Sequence, residues 1–168
     1  KADFDGFGTY VTAEALYDIE QDNGLTVSPF AGVEASVIHH ESYSETGAGV
    51  LNNSVDGETS EYLSSVVGVE VGGKLEKHGL DIAPLARIGW AHQFLDDSAS
   101  TTASFTQAPE ITFESDGPAR NRNSLRLGLD LEISDKENSN IVGFVRYDGD
   151  IASNAQDHIV RLGASLKF

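Results

Sequence analysis

Ser124-Leu125-Arg126-Leu127-Gly128-Leu129-Asp130-Leu131-Glu132-Ile133-Ser134 places five aliphatic side chains at every second position, with Arg, Gly, Asp and Glu between them. Successive side chains of an extended chain point to opposite faces, so this stretch reads as a strand with one aliphatic face and one polar face. The pattern recurs outward in both directions. At the C-terminal end His158, Val160, Leu162, Ala164, Leu166 and Phe168 oppose Ile159, Arg161, Gly163, Ser165 and Lys167. Upstream, Ile82, Pro84, Ala86, Ile88, Trp90 and Phe94 oppose Asp81, Arg87, Gly89 and Gln93, and Leu63, Val67, Val69, Val71 and Leu75 oppose Ser64, Gly68, Glu70, Gly72 and Lys74. Leu25, Val27, Ala31, Val33, Ala35 and Val37 oppose Ser28, Gly32, Glu34 and Ser36. Weaker alternation runs through Val11, Ala13, Ala15, Tyr17 and Ile19, and through Ile141, Gly143, Val145 and Tyr147. About seven strands follow, each ~10 to 16 residues long.

Strands of globular proteins run ~5 to 6 residues, whereas a tilted bilayer crossing needs about ten. Charge placement points the same way. Asp, Glu, Lys and Arg fall almost wholly on the second parity, and the apolar parity admits only His92 and His158, near strand ends. A charge at a lipid-facing midplane position costs ~2 to 4 kcal/mol, which empties that face. Alternation alone is shared with a soluble β-sandwich, whose apolar face turns inward, and that alternative stays open at this point.

The connections alternate in length. Gln21-Asp22-Asn23-Gly24, Glu76-Lys77-His78-Gly79 and residues 135–138 are short and turn-like, while 39–58 and 95–122 are long loops. Outer-membrane barrels have short periplasmic turns and long external loops, so the last strand is expected to run inward, with Phe168 at the periplasmic end. Tyr17, Trp90, Phe94, Tyr147 and Phe168 are expected at strand ends as interfacial aromatics. Pro29 and Pro84 fall inside strands; each is read as lying near the turn-proximal start, where a missing N–H does least harm, or as marking a bulge.

Composition removes several function classes. The 168 residues carry 11 Lys plus Arg against 27 Asp plus Glu, a formal charge of -16, which repels a phosphate backbone; no nucleic-acid partner is expected. With no Cys and no Met there is no disulfide, thiolate metal site or cysteine nucleophile. No apolar run reaches the length of a transmembrane helix, a test to which barrel strands are blind. Gly-x-Ser-x-Gly, His-Glu-x-x-His, Walker-type and dinucleotide fingerprints are absent, so no enzyme and no cofactor is expected. In His39-His40-Glu41 the two imidazoles point to opposite faces of a strand, so no metal site is expected there.

Several phrases, taken in order, resemble the translocator barrel of autotransporters, the type V secretion family of Gram-negative bacteria. They are Leu25-Thr26-Val27-Ser28-Pro29-Phe30-Ala31-Gly32-Val33, Ser42-Tyr43-Ser44-Glu45-Thr46-Gly47-Ala48 and Ser64-Ser65-Val66-Val67-Gly68-Val69. The strand Ile82-Ala83-Pro84-Leu85-Ala86-Arg87-Ile88-Gly89-Trp90-Ala91-His92-Gln93-Phe94 and the tail from His158 to Phe168 complete the set, which spans nearly the whole chain. The resemblance implies an all-β, antiparallel transmembrane β-barrel in the bacterial outer membrane. Residues 1–168 would be the C-terminal part of a single barrel of about twelve strands. Seven strands whose first runs inward cannot close antiparallel on themselves, so the first strands, a pore helix and the passenger are expected elsewhere.

The implied function is anchoring in the membrane and export of an N-terminal passenger. A porin-like or adhesin-like barrel is the alternative, and a soluble β-sandwich binding module a further one. Glu34, Glu70, Arg87, Arg126, Asp130, Arg146, Asp148 and Arg161 share the polar parity and are expected to face the lumen, forming cross-strand charge pairs around a transiting segment or a solvated interior. Glu45 matches the family's recurring acidic position. Leu162, Ala164, Leu166 and Phe168 resemble the signal bound by the barrel-assembly machinery through strand pairing. Asp56, Glu58, Asp96, Asp97 and Asp116 make the loops acidic, suited to divalent bridges to lipopolysaccharide phosphates. Expected partners are therefore outer-membrane lipid and lipopolysaccharide, the assembly machinery and the protein's own passenger.

Overall fold

The structure, a computed structural model, describes residues 1–95, 100–117, 121–136 and 140–166. The strands are β1 (Gly6–Leu16), β2 (Ile19–Glu20), β3 (Leu25–His40), β4 (Tyr43–Ser44), β5 (Asn53–Val55), β6 (Glu58–Gly73), β7 (Leu75–Lys77), β8 (Leu80–Gln93), β9 (Ser100–Phe105), β10 (Ala108–Asp116), β11 (Asn123–Asp135), β12 (Ile141–Ala152) and β13 (Gln156–Leu166). One sheet has the order β1-β3-β6-β8-β11-β12-β13, with β2 beside β3 and β7 beside β8; a second has the order β10-β9-β5-β4. The seven long strands read from alternation are thus the seven of the first sheet. Sheet neighbours are chain neighbours among these seven, as in a meander.

The chain divides into two compact units. One comprises Lys1–Thr12, Glu34–Ser64 and Gln93–Arg120, the other Ala13–Val33, Ser65–His92 and Asn121–Phe168. In the second unit β11 runs antiparallel to both neighbours without a slip: Leu125, Leu127, Leu129, Leu131 and Ile133 pair with Trp90, Ile88, Ala86, Pro84 and Ile82 of β8, and with Ile151, Gly149, Tyr147, Val145 and Gly143 of β12. A one-residue slip would exchange the two faces. The aliphatic parity of each strand therefore meets that of the next.

Both in-strand prolines sit where the partner strand is interrupted. Pro29 accepts a bond from the Tyr17 N–H at its carbonyl, opposite the gap between β1 and β2, and lacks the N–H to continue the ladder. Pro84 faces the region of Gly72, next to the gap between β6 and β7. Each is also the fifth residue of its strand, in the turn-proximal part. The β7–β8 hairpin turns at His78 and Gly79, with φ of 53° and 78°, the two left-handed residues that a two-residue type I′ turn requires.

The buried apolar cluster lies on the polar parity. Phe30, Val66 and Ala91 pack together there, and Phe30 lies across Gly68 and Gly89. A Cβ on Gly68 would come within 2.6 Å of the Phe30 ring and 2.2 Å of the Ile88 carbonyl oxygen, so only glycine fits.

Two expectations are corrected. The stretches 39–58 and 95–122 are not plain loops: they contribute β4, β5, β9 and β10, which knit into the second sheet through pairs such as Val55 with Ala103 and Tyr43 with Val55. Tyr147 stands in the middle of β12 rather than at its end; its ring leans over Gly149, where a Cβ would meet its hydroxyl at 2.7 Å.

Gly68→Ala is expected to destabilise the folded protein by about 1–3 kcal/mol through overpacking. Gly143→Ala, whose new Cβ meets nothing closer than 3.8 Å, should change it little. The midpoint of heat-modifiable gel migration in detergent measures both.

Candidate functional site

Side chains that share a register pair share a face, so the candidate site follows from the ladders. In the second unit Asp130 lies opposite Arg146, and Arg126 opposite Asp150. Asp130 accepts from the guanidinium of Arg146, which also lies 4.0 Å from Glu132; Arg126 stands 3.4 Å from Asp150. Arg161 faces Arg146 across β12–β13 and bonds the diagonal neighbour Asp148 instead, which keeps the two cations from sharing one space. Opposite charges therefore alternate across the face.

Arg87 has the densest surroundings. Its guanidinium lies 3.7 Å above the centre of the Phe30 ring, donates to Glu14, and stands 3.6 Å from Glu70. The flat cation thus covers the edge of the buried cluster while two carboxylates balance its charge. Toward the turns the same face opens into a cavity of about 630 Å³, lined by Asp18, Glu70, Asp130, Glu132 and Lys74 among others. Ser28, buried at its edge, donates to Asp18 at 2.6 Å. At the turns Lys136 donates to Glu76, and that bond and charge hold its ammonium above the usual lysine range.

In the first unit Glu34 accepts from Ser64 at 3.4 Å, and Ser64 accepts from Tyr62 at 2.9 Å. Glu45 anchors the loop: its carboxylate accepts from the Asn53 N–H at 3.2 Å and its own N–H donates to the Asn53 carbonyl at 2.7 Å. Asp56 and Glu58 both touch β9, through the Thr102 carbonyl and the Thr101 hydroxyl, and Asp116 pairs with Ser100 on the same strand. Asp96, Asp97 and Phe168 lie outside the described residues. Among the described residues, no three His, Asp or Glu side chains are grouped to hold a metal, and no helix is long and apolar enough to cross a membrane.

All eight charged residues named from parity therefore take part in polar contacts or in the ladder face as arranged above. What parity did not disclose is Glu14 as a partner of Arg87, 73 positions away, and Phe30 as the buried aromatic of a nominally polar face. A signal for Phe30 existed: a lone aromatic on the parity of the glycines, with Gly68 and Gly89 on the two strands that follow.

Comparison with known proteins agrees with this geometry. Residues 1–148 match the family model described as "Autotransporter beta-domain". The chain is 25% identical over 157 residues to an extracellular serine protease of Serratia marcescens, covering 92% of this chain and 14% of that protein. It is 29% identical over 156 residues to outer membrane protein B of Rickettsia rickettsii, covering 90% of this chain and 9% of that protein. The chain thus spans a small part of the relatives it matches.

Arg87→Gln is expected to cost about 1–3 kcal/mol, because it strips Glu70, whose side chain is 18% exposed, of its countercharge and removes the cover of Phe30. Arg161→Gln, at a side chain 52% exposed, should cost less than about 1 kcal/mol. Thermal midpoints of the two variants, measured side by side, check the order.

Proposed function

We propose, from the premise that this chain belongs to the autotransporter β-domain family, that it is the translocator portion of a protein that exports its own N-terminal passenger across the bacterial outer membrane. One observation supports the membrane step above all others: the aliphatic parity is the exposed one. Leu162 is 80% and Val160 65% exposed, while Phe30, on the opposite parity, is 5% exposed. A soluble sandwich has the reverse arrangement. Along β8 the apolar parity runs from Leu80 to Trp90 without an ionisable group, ten residue steps, about 33 Å of strand. At a tilt of about 40° this covers roughly 25 Å, the height of the apolar band of outer-membrane barrels.

The polar face is then the lumen side. Glu34, Glu70, Arg87, Arg126, Asp130, Arg146, Asp148 and Arg161 line it, and their mutual pairing lets the wall remain charged without gripping a passing segment by any single ion pair. The seven long strands form the C-terminal part of one barrel of about twelve, with the first strands, the pore helix and the passenger contributed from elsewhere in the protein. The barrel's part is anchoring and passage; chemistry, where the protein performs any, belongs to the passenger. Glu45 serves by holding its loop. The partners on the outside are lipid and lipopolysaccharide. At the other end, Leu162, Ala164, Leu166 and Phe168 pair with the assembly machinery as an added strand.

Leu129→Arg, at the middle of the aliphatic belt, should lose about 2–4 kcal/mol, whereas Val142→Arg, on the polar parity, should lose far less. Equal losses, read from folding yields into lipid vesicles, would remove the membrane assignment. Deleting Phe168 in the full-length protein should lower the surface amount of passenger with its synthesis unchanged; a normal surface level rules out the assembly role.

A further inference from the structure

Because β3 extends to His40, past the stretch read from alternation, His39 joins His92 and His158 on the aliphatic parity, and all three lie at the loop ends of their strands, in β3, β8 and β13. Each is tied in the same way. Its Nδ1 meets a polar atom of the neighbouring strand: Thr59 Oγ1 at 2.8 Å for His39, Asn123 Oδ1 at 2.9 Å for His92, the Tyr147 hydroxyl at 2.8 Å for His158. Each ring also packs on an aromatic one, Phe7, Trp90 and Tyr147 respectively, at 5.4, 5.6 and 6.0 Å between centroids. A ring on a lipid-facing parity that spends one nitrogen on the sheet is held in a single orientation. For His39 and His158 the partner hydroxyl can donate to Nδ1, which leaves the proton on Nε2.

What lies beside these donors defines the ligand. Along β13 the same face continues from His158 into Val160 and Leu162, among the most exposed aliphatic side chains of the chain. A hydrogen-bond donor at the rim of such a belt suits a molecule with hydrocarbon below and an anionic acceptor above.

We infer that the Nε2–H groups of His39 and His158 are headgroup ligands that bind the phosphates of a phosphorylated amphiphile in the loop-side leaflet, the chemistry that lipopolysaccharide presents. The two histidines act in separate units as separate contacts, each backed by its aromatic ring. The inference rests on the membrane reading above and adds to it a site and a ligand class. The Nε2–H donates here as the Tyr hydroxyl and the Trp indole N–H do at other interfaces, and a charged phosphate acceptor makes the bond a strong one.

The test uses the full-length protein in phosphate-free alkyl maltoside micelles doped with lipid A or with dephosphorylated lipid A. Wild type should unfold at a higher temperature with lipid A than with the dephosphorylated form. The double variant His39→Phe/His158→Phe keeps the ring packing, drops the nitrogens, and should lose that difference while retaining its midpoint in maltoside alone. His158→Gln, which keeps a donor, should retain part of it. No difference in wild type, or an equal one in the double variant, overturns the proposal, as does the same stabilisation by inorganic phosphate alone. Trp90, the sole tryptophan of these 168 residues, reports the membrane reading separately once tryptophans elsewhere in the full-length protein are replaced by phenylalanine. Its fluorescence should be quenched by a bromine-labelled maltoside in every variant; unquenched Trp90 would defeat the membrane reading itself, whatever the phosphate result.

Discussion

Hydrocarbon supplies no hydrogen-bond partners, so every backbone N–H and C=O that crosses it must be satisfied by the protein. The long ladders follow from that constraint. β11 is matched residue for residue to β8 from Asn123 to Asp135, and to β12 from Ser124 to Ser134. An unbroken ladder fixes which side chain stands beside which, and so converts a period of two in the sequence into two continuous surfaces. It also explains where the prolines can be tolerated: each removes one donor, and each lies where the facing strand has already been interrupted.

With the aliphatic side given over to lipid, packing within the chain has only the other side to use. Glycines on the polar parity make this possible. Gly68 and Gly89 leave room for the tip of the Phe30 ring, and Arg87 covers the ring face while its charge is met by Glu14 and Glu70. One side chain thus joins a dry patch to the ion-pair ladder beside it. Removing a paired charge from such a place costs more than removing an exposed one because the partner left behind has little water to turn to.

How much of this was legible beforehand depends on whether the signal is local. Leu125 to Ile133 announce their strand without help from any other segment, and β11 extends only one residue beyond each end of the stretch read from them. The charge pairs were half legible: Asp130 and Arg146 belong to one parity, but their meeting needs the register, which parity alone does not supply. Ser100-Thr101-Thr102-Ala103-Ser104-Phe105 has small side chains on both parities and no contrast between faces. It becomes a strand because Asn53, Ser54 and Val55 arrive beside it from a distant part of the chain. Phe30 is the instructive residue, since its type argued for the apolar face and its position for the polar one, and only the glycines of two later strands decide between them.

The acidity of the chain acquires a physical meaning from the same division. A formal charge of -16 cannot be spread over a lipid-facing belt, so it gathers on the polar face, at the turns and in the segments that build the second sheet. Within the second unit, Arg87 and Arg146 answer Glu70, Asp130 and Glu132, carboxylates that also line the turn-side cavity together with Asp18 and Lys74. A face paired in this way keeps its charge without a uniform sign, and each pair ties one strand to the next.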